Sequence, residues 1–284
     1  MSRKKITILD IQKRKQTKTP ITMLTAYDFT SAILVDQTDT DIILVGDSLG
    51  MVMLGYPGTA EVTMDEMLHH CKAVARGTSG AFLVGDMPFM SYQAEVAEAV
   101  RNAGRFLKEG SMDCIKLEGG REMADTVRAI VRAGIPVMGH IGLTPQTVSQ
   151  LGGYRIQGKT AVAAQALVKD AMALQEAGCF AIVLEAVPAS VAAVITRRLT
   201  IPTIGIGAGV GCDGQVLVYH DMLGLYDRLQ PRFVKEYGQI GAAIKTAVQT
   251  YTEEVRSRQF PAEEHTYPMD EAEEVAFLAA VAGR

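Results

Sequence analysis

Tryptophan is absent from the 284-residue sequence, and aromatic side chains make up only 6% of it. The interior must therefore be built from smaller groups, and 27 glycines point to the close small-residue packing of an α/β fold. No stretch of ~18 consecutive apolar residues occurs, which excludes a transmembrane helix. The four cysteines, Cys71, Cys114, Cys179 and Cys212, form no CxxC pair. That spacing excludes a zinc ribbon and a thioredoxin-type motif, and a disulfide framework is not expected in so long a chain. Reduced, mostly buried thiols of a cytoplasmic protein are expected instead. A charge excess is missing too: 28 Lys and Arg stand against 32 Asp and Glu, for a formal net charge of −4. Nothing in that balance attracts nucleic acid. The first ten residues lack the apolar core and small-residue cleavage site of a secretory signal. Their basic character imitates a transit peptide, but Ile6, Leu9 and Ile11 are spaced as on a short amphipathic helix packed against the domain.

What the chain does have is 48% hydrophobic and 21% charged residues, the balance of a folded globular protein. A chain of this length buries roughly three quarters of its unfolded surface and needs no disulfide or structural metal to fold. It is long enough for about two domains of ~150 residues, or for one α/β barrel of ~250. Periodicity favours the barrel. Short apolar runs at 21–26, 41–46, 81–85, 113–117, 136–140, 180–184, 202–206 and 215–219 read as parallel strands buried on both faces. Helical patterns such as 94–108 and 161–176 lie between them. Gly110, Gly134 and Gly178 each stand between a helical stretch and the next apolar run, where a left-handed residue ends a helix. Eight such runs with no Pro- or Ser-rich linker predict a (β/α)₈ TIM barrel, with a doubly wound sheet as the alternative. The predicted organisation is one catalytic domain over residues 1–260, including the N-terminal helix. An acidic tail, 261–284, follows; Val275, Leu278 and Val281 offer one face of a short helix, but a peripheral or partly mobile tail without chemistry is the expectation.

In a barrel the reacting groups lie just beyond the C-terminal ends of the strands. Here those positions are polar: Tyr27-Asp28, Asp47-Ser48, Asp86, Lys116 and Glu118, His140, Glu185, and His220-Asp221. Lys116 and Glu118 are two apart and point to the same side of an extended strand. A lysine inside a barrel is costly unless carboxylates or an anionic ligand pair with it. Asp47 on its own is also compatible with capping the next helix, but the whole set is not. Asp47, Asp86 and Glu118 offer only oxygen ligands, which suit Mg²⁺, Mn²⁺ or Ca²⁺ rather than zinc. Such a centre would chelate a 2-oxo acid through its keto and carboxylate oxygens, with Lys116 on the substrate carboxylate or on a developing oxyanion. The metal would then stabilise an enolate. Glu185, in the apolar sequence AIVLEAV, is the candidate base, partly desolvated and so a better proton acceptor.

Other motifs are weaker. Gly209 to Gly214 spells GxGxxG, yet an apolar run rather than an amphipathic helix follows it, against a dinucleotide site. The loop GIGAG (205–209) suits a phosphate cradle or a tight turn. His69-His70 lies in a helical stretch and reads as surface or core.

Taken together, VGDSLGMVMLGY (45–56), LVGDMPFMSYQ (83–93), IKLEGG (115–120), MGHIGLTPQTVSQLGGYRIQGK (138–159), VLEAVP (183–188) and IPTIGIGAG (201–209) resemble the ketopantoate hydroxymethyltransferase family. The likeness spans about residues 4–267. It implies a (β/α)₈ barrel of the phosphoenolpyruvate-mutase-like superfamily. It also implies transfer of a one-carbon unit from 5,10-methylenetetrahydrofolate to 3-methyl-2-oxobutanoate, giving 2-dehydropantoate and tetrahydrofolate in the first step of pantothenate and coenzyme A synthesis. By motif match, Asp47, Asp86 and Glu118 would surround one Mg²⁺ per subunit, and Asp47, Ser48, Asp86 and Lys116 would bind the keto acid. Glu185 would be the catalytic proton acceptor, and His140 would contact substrate or folate. The family resemblance further implies a cytoplasmic homodecamer with no nucleic-acid or membrane partner. The sequence departs from the family pattern at Pro57–Glu61, Lys159 and Ala186, none of them a residue assigned to metal or proton transfer. Competing chemistries are a Schiff-base aldolase on Lys116, a lyase or mutase with a loop cysteine, and a non-catalytic binding barrel.

Overall fold

The computed structural model describes residues 4–228 and 231–283. Eight strands run through it: β1 (Ile21–Thr25), β2 (Ile42–Val45), β3 (Phe82–Asp86), β4 (Cys114–Glu118), β5 (Val137–Gly142), β6 (Ala181–Glu185), β7 (Thr203–Ile206) and β8 (Gly214–Leu217). Each falls within two residues of its predicted run. All neighbours pair in parallel, and β8 closes on β1 with Ile21 opposite Gly214, so the sheet is a closed barrel in sequence order. That closure excludes the doubly wound alternative. The helices are α1 (Ile8–Thr17), α2 (Phe29–Asp36), α3 (Leu49–Val52), α4 (Met64–Gly77), α5 (Val96–Lys108), α6 (Ala124–Arg132), α7 (Val148–Leu151), α8 (Ala161–Ala177), α9 (Ala189–Arg198), α10 (Tyr219–Met222), α11 (Ile240–Ser257) and α12 (Glu271–Ala282).

Side-chain alternation divides the barrel interior into an apolar floor and a polar mouth. Ile42, Phe82, Cys114, Met138, Ala181 and Ile204 fill the floor. Two or four positions further along the same strand faces come Asp86, Lys116 and Glu118, His140 and Glu185. The other strand faces, with Ile43, Leu83, Ile115, Leu117, Ile182 and Leu184, pack outward under the helices. Gly85 is required there: a Cβ would stand 2.4 Å from a ring carbon of Phe106, which is fully buried on α5.

Helix α1 forms as predicted. A capping box between Thr7 and Asp10 starts it, and its fully buried Ile11 joins the floor cluster with Ile6 and Ile8 alongside. Leu9 departs from the expectation: it is 71% exposed, because it lies on the opposite side of α1 from the barrel. Gly134 and Gly178 adopt the left-handed conformation expected of helix-ending glycines, but Gly110 does not. There Ser111 takes the positive φ, and Gly110 instead allows a close approach, since a Cβ would meet Phe106 O at 2.7 Å. The tail does form a helix, α12, with Val275, Leu278 and Val281 all exposed. Helix α11 likewise buries no residue.

Candidate active site

Strand register brings the predicted residues together at one mouth. Asp86 is opposite Lys116, Glu118 is opposite His140, and Gly142 is opposite Glu185. Asp47 follows β2, and its backbone N–H donates to Asp86 Oδ2 at 3.2 Å. Lys116 Nζ lies 2.8 Å from Asp86 Oδ1, with both side chains at least 95% buried. The two form a buried ion pair in which the ammonium opposes the burial of the carboxylate. His140 sits between acids, Nδ1 3.4 Å from Glu118 Oε1 and 3.3 Å from Lys116 Nζ, and Nε2 3.2 Å from Glu185 Oε2.

Burial dominates the electrostatics of this cluster. It pushes Asp47 well above the usual carboxylate range, and the nearby Asp86 and Glu118 charges push further in the same direction. Asp86 is also raised by burial, although Lys116 opposes the shift. Burial alone would discharge Lys116, but Asp86, Glu118 and Asp47 more than offset it and hold the ammonium charged. For His140, burial and the Lys116 charge both act downward. Contacts with Glu118 and Glu185 outweigh them and hold it at about 9, so the imidazole is cationic at neutral pH.

The remaining predicted residues fall into place around this centre. Ser48 Oγ lies 2.8 Å from the buried Tyr27 hydroxyl. Asp47 is no helix cap: its Oδ2 accepts from Gln146 Nε2 at 2.8 Å. Asp28 is the capping residue, accepting from Ser31 N at 2.8 Å, and stands apart from the mouth. Glu185 differs from its expected setting. Its apolar sequence neighbours Ile182 and Leu184 face the helices, and its partner is the charged His140 rather than hydrocarbon. Ala186 behind it holds φ at 47°, a left-handed value strained for alanine. Gly142 permits the approach of β5 to this turn, since a Cβ there would stand 2.2 Å from Glu185 O.

Sequence reasoning missed Gln146 and Tyr92. Gln146 Nε2 donates to Asp47 Oδ2 and, at 2.9 Å, to Met87 O, while its backbone N–H donates to Glu118 Oε2 at 3.1 Å. Tyr92 O–H donates to Gln146 Oε1 at 2.7 Å, and the same hydroxyl oxygen accepts from Glu118 N at 3.0 Å. Their only sequence signal was a place in the motifs GHIGLTPQ and DMPFMSY. The weaker motifs resolve differently. Residues 207–213 turn directly into β8, and Gly209 packs against Ala189, where a Cβ would stand 2.5 Å from the Ala189 Cβ; no helix opens after the glycines. His70 lies on α4 with Nδ1 2.6 Å from Tyr27 O. Burial pushes the Cys71, Cys114 and Cys179 thiols up, Cys179 to about 12, so none is a ready nucleophile.

These groups line a cavity of about 970 Å³. Among the described residues no three His, Cys, Asp or Glu side chains are already gathered tightly enough to hold a metal ion. The donor set nevertheless fits a hard cation. Mg²⁺ takes one or two carboxylates and completes its octahedron with water and substrate oxygens. Asp47 and Asp86 are adjacent, buried and all-oxygen, and Asp86 Oδ1 has a free lone-pair direction. Glu118, committed to His140 and the Gln146 backbone, stands beside them.

The fold and the acid-lined mouth define a (β/α)₈-barrel enzyme whose buried carboxylates suit a hard cation. Solved structures of phosphonopyruvate hydrolase in complex with oxalate and Mg²⁺ (TM-score 0.59, 14% identity, 98% of each chain) and of 2,3-dimethylmalate lyase have this fold. The lyase matches with TM-score 0.56 and 13% identity over 96% of this chain and 98% of that one, and is a member of the phosphoenolpyruvate mutase/isocitrate lyase superfamily. The sequence is more specific. The ketopantoate hydroxymethyltransferase family matches over residues 5–263. A 3-methyl-2-oxobutanoate hydroxymethyltransferase of Carboxydothermus hydrogenoformans is 56% identical over 265 residues, covering 93% of this chain and 96% of that protein. The chain belongs to the ketopantoate hydroxymethyltransferase family and is a transferase.

Proposed function

We propose that this enzyme hydroxymethylates 3-methyl-2-oxobutanoate with 5,10-methylenetetrahydrofolate and water, giving 2-dehydropantoate and tetrahydrofolate, the first step of pantothenate synthesis. The observation that carries this reading is one mouth in which Asp47, Asp86 and Lys116 lie on one side and Glu185 lies across His140 from them. Asp47 and Asp86, with Glu118 beside them, would hold Mg²⁺, which when bound supplies a Lewis acid for the keto oxygen and so stabilises the enolate. Lys116, held charged, neutralises the substrate carboxylate or the developing oxyanion. Ser48 Oγ, oriented by Tyr27, binds the same acid. Glu185 takes the proton from C3, with His140 Nε2 orienting its Oε2. The carbon nucleophile then attacks the one-carbon unit presented from the open side of the cavity. The new C–C bond and a hydroxyl from water replace the two C–N bonds of that unit. The folate leaves as tetrahydrofolate with both nitrogens protonated, one by the C3 proton and one by the proton of water.

Glu185→Gln tests this directly. Solvent-deuterium exchange at C3 of the keto acid should fall by about 10²-fold or more, while keto-acid binding stays within about twofold of wild type. Undiminished exchange would reject the role. EDTA should abolish turnover, and Mg²⁺ should restore it. The Schiff-base alternative requires a neutral amine, whereas three acids keep Lys116 protonated. Borohydride with substrate should therefore leave the enzyme active.

The same reading treats 1–260 as one catalytic domain, with 261–284 appended, in a cytoplasmic homo-oligomer, a homodecamer by family. No helix among the described residues is long and apolar enough to cross a membrane. One observation supports the assembly. Helix α11 exposes Ile244, Val248, Tyr251 and Val255 at helical spacing, an apolar stripe suited to burial against another subunit.

A further inference from the structure

The cavity is too large for the keto acid alone. About 970 Å³ is the upper end of the ~300–1,000 Å³ that drug-sized ligands occupy, and a branched five-carbon acid held at the acid cluster leaves most of it free. Its outer wall differs from that cluster. Tyr154, Tyr226 and Phe233 supply aromatic faces, and Arg155 and Arg232 line the same wall with no salt-bridge partner among the described residues. Two polar groups there await a partner. Thr59 Oγ1 is buried without a hydrogen bond among the described residues. Asp221, at the third position of α10, is half-buried on the cavity wall, and among the described residues its carboxyl has neither a hydrogen bond nor an ion pair.

We propose that the outer wall is the seat of the one-carbon donor's bicyclic heterocycle and that Asp221 is its specificity-determining residue. This rests on the folate reading above. A reduced pterin presents two parallel N–H donors, the ring N3–H and the 2-amino group, along one edge. A carboxylate is the side chain whose two oxygens accept both at once. No described residue bonds the Asp221 carboxyl, so its oxygens are available for that edge, and burial without compensation, which pushes the carboxyl up to about 6, makes an incoming donor pair favourable. The aromatic side chains suit the faces of the ring, and Arg155 and Arg232 suit the anionic glutamate tail.

The test separates the two halves of the cavity. Wild-type turnover with 5,10-methylenetetrahydrofolate is measured first; its absence would overturn the folate reading and this inference together. Tetrahydrofolate binding to Mg²⁺-loaded wild type, Asp221→Asn and Asp221→Ala is then titrated by fluorescence, alongside KM for each substrate and folate-free C3 deuterium exchange. Both variants should bind tetrahydrofolate about tenfold or more weakly, with a matching rise in the donor KM. Keto-acid KM and C3 exchange should move by less than about twofold. A 2-desamino folate analogue should bind wild type and Asp221→Asn alike. Full tetrahydrofolate affinity in Asp221→Asn, or loss of C3 exchange with donor affinity retained, would overturn the assignment.

Discussion

Replacing Gln146 by leucine tests whether the amide holds the acid cluster in place. The side chain is buried, and the substitution roughly preserves volume, so cavity formation contributes little. Three contacts disappear: Nε2 to Asp47 Oδ2 at 2.8 Å, Nε2 to Met87 O at 2.9 Å, and the Tyr92 hydroxyl to Oε1 at 2.7 Å. The Tyr92 hydroxyl still reaches Glu118 O at 3.2 Å, so its loss is small. A bond to a charged group contributes ~1.5–3 kcal/mol and an abandoned buried acceptor costs ~1–3 kcal/mol, which sums to a destabilisation of ~3–5 kcal/mol. Urea unfolding at fixed protein concentration measures it directly. Gln146→Glu supplies the control. It keeps the shape but turns the donor towards Asp47 into an acceptor, so it should be destabilising at pH 8 and recover near pH 5, where a protonated glutamate donates again. A loss below about 1 kcal/mol for Gln146→Leu, set against the ~3–5 kcal/mol expected, would refute the clamp.

Two further outcomes follow from other parts of the fold. Ile11→Ala, which empties the fully buried plug of the barrel floor, should cost ~2–5 kcal/mol in unfolding free energy while leaving C3 exchange at low temperature intact. In EDTA the protein should lose stability as pH rises from 6.5 to 9. Folded His140 keeps its proton up to about 9 against an ordinary 6.5, so its contribution is complete below 6.5 and gone above 9. That difference amounts to ~3 kcal/mol. Asp47 and Asp86, raised by burial, act in the same direction from about the ordinary carboxylate value upward. A melting temperature that is flat or rises across that window would contradict the cationic imidazole.

The eight strands were legible because a parallel strand is buried on both faces and shows as an unbroken apolar run, whatever packs against it. The polar mouth was legible for a related reason: parity carries Phe82 and Val84 to Asp86, and Cys114 to Lys116 and Glu118, along single strand faces. What the sequence concealed lies off the strands. Gln146 serves Asp47 from 99 positions away, through a loop whose 3₁₀ turn begins at Pro145, and no local pattern encodes that reach. Glu185 looked apolar because its sequence neighbours are, yet alternation sends half of them outward and leaves it facing His140. Leu9 and Gly110 failed for want of the same information, namely which side of an element meets its neighbour.

The site is an improbable arrangement on stability grounds alone. Asp47, Asp86, Glu118 and Glu185 gather around two cationic side chains in contact with them, Lys116 and His140, within walls that exclude most water. Buried ion pairs seldom outperform well-packed hydrocarbon, and an excess of acid raises the cost further, as the upward displacement of Asp47 shows. The barrel tolerates the cluster because an apolar floor packs beneath it and the ladder closes without an edge, so the cost of the mouth is carried by packing elsewhere in the fold. Charge of this sign and density is instead a fit to what enters. A hard divalent cation and an anionic keto acid would together bring about one net positive charge, which offsets one of the two surplus carboxylate charges while leaving Lys116 its counter-ions. On this account metal and substrate should stabilise each other's binding. Mn²⁺ should bind more tightly in the presence of 3-methyl-2-oxobutanoate than in its absence, and a titration showing no such coupling would separate the acid cluster from keto-acid recognition.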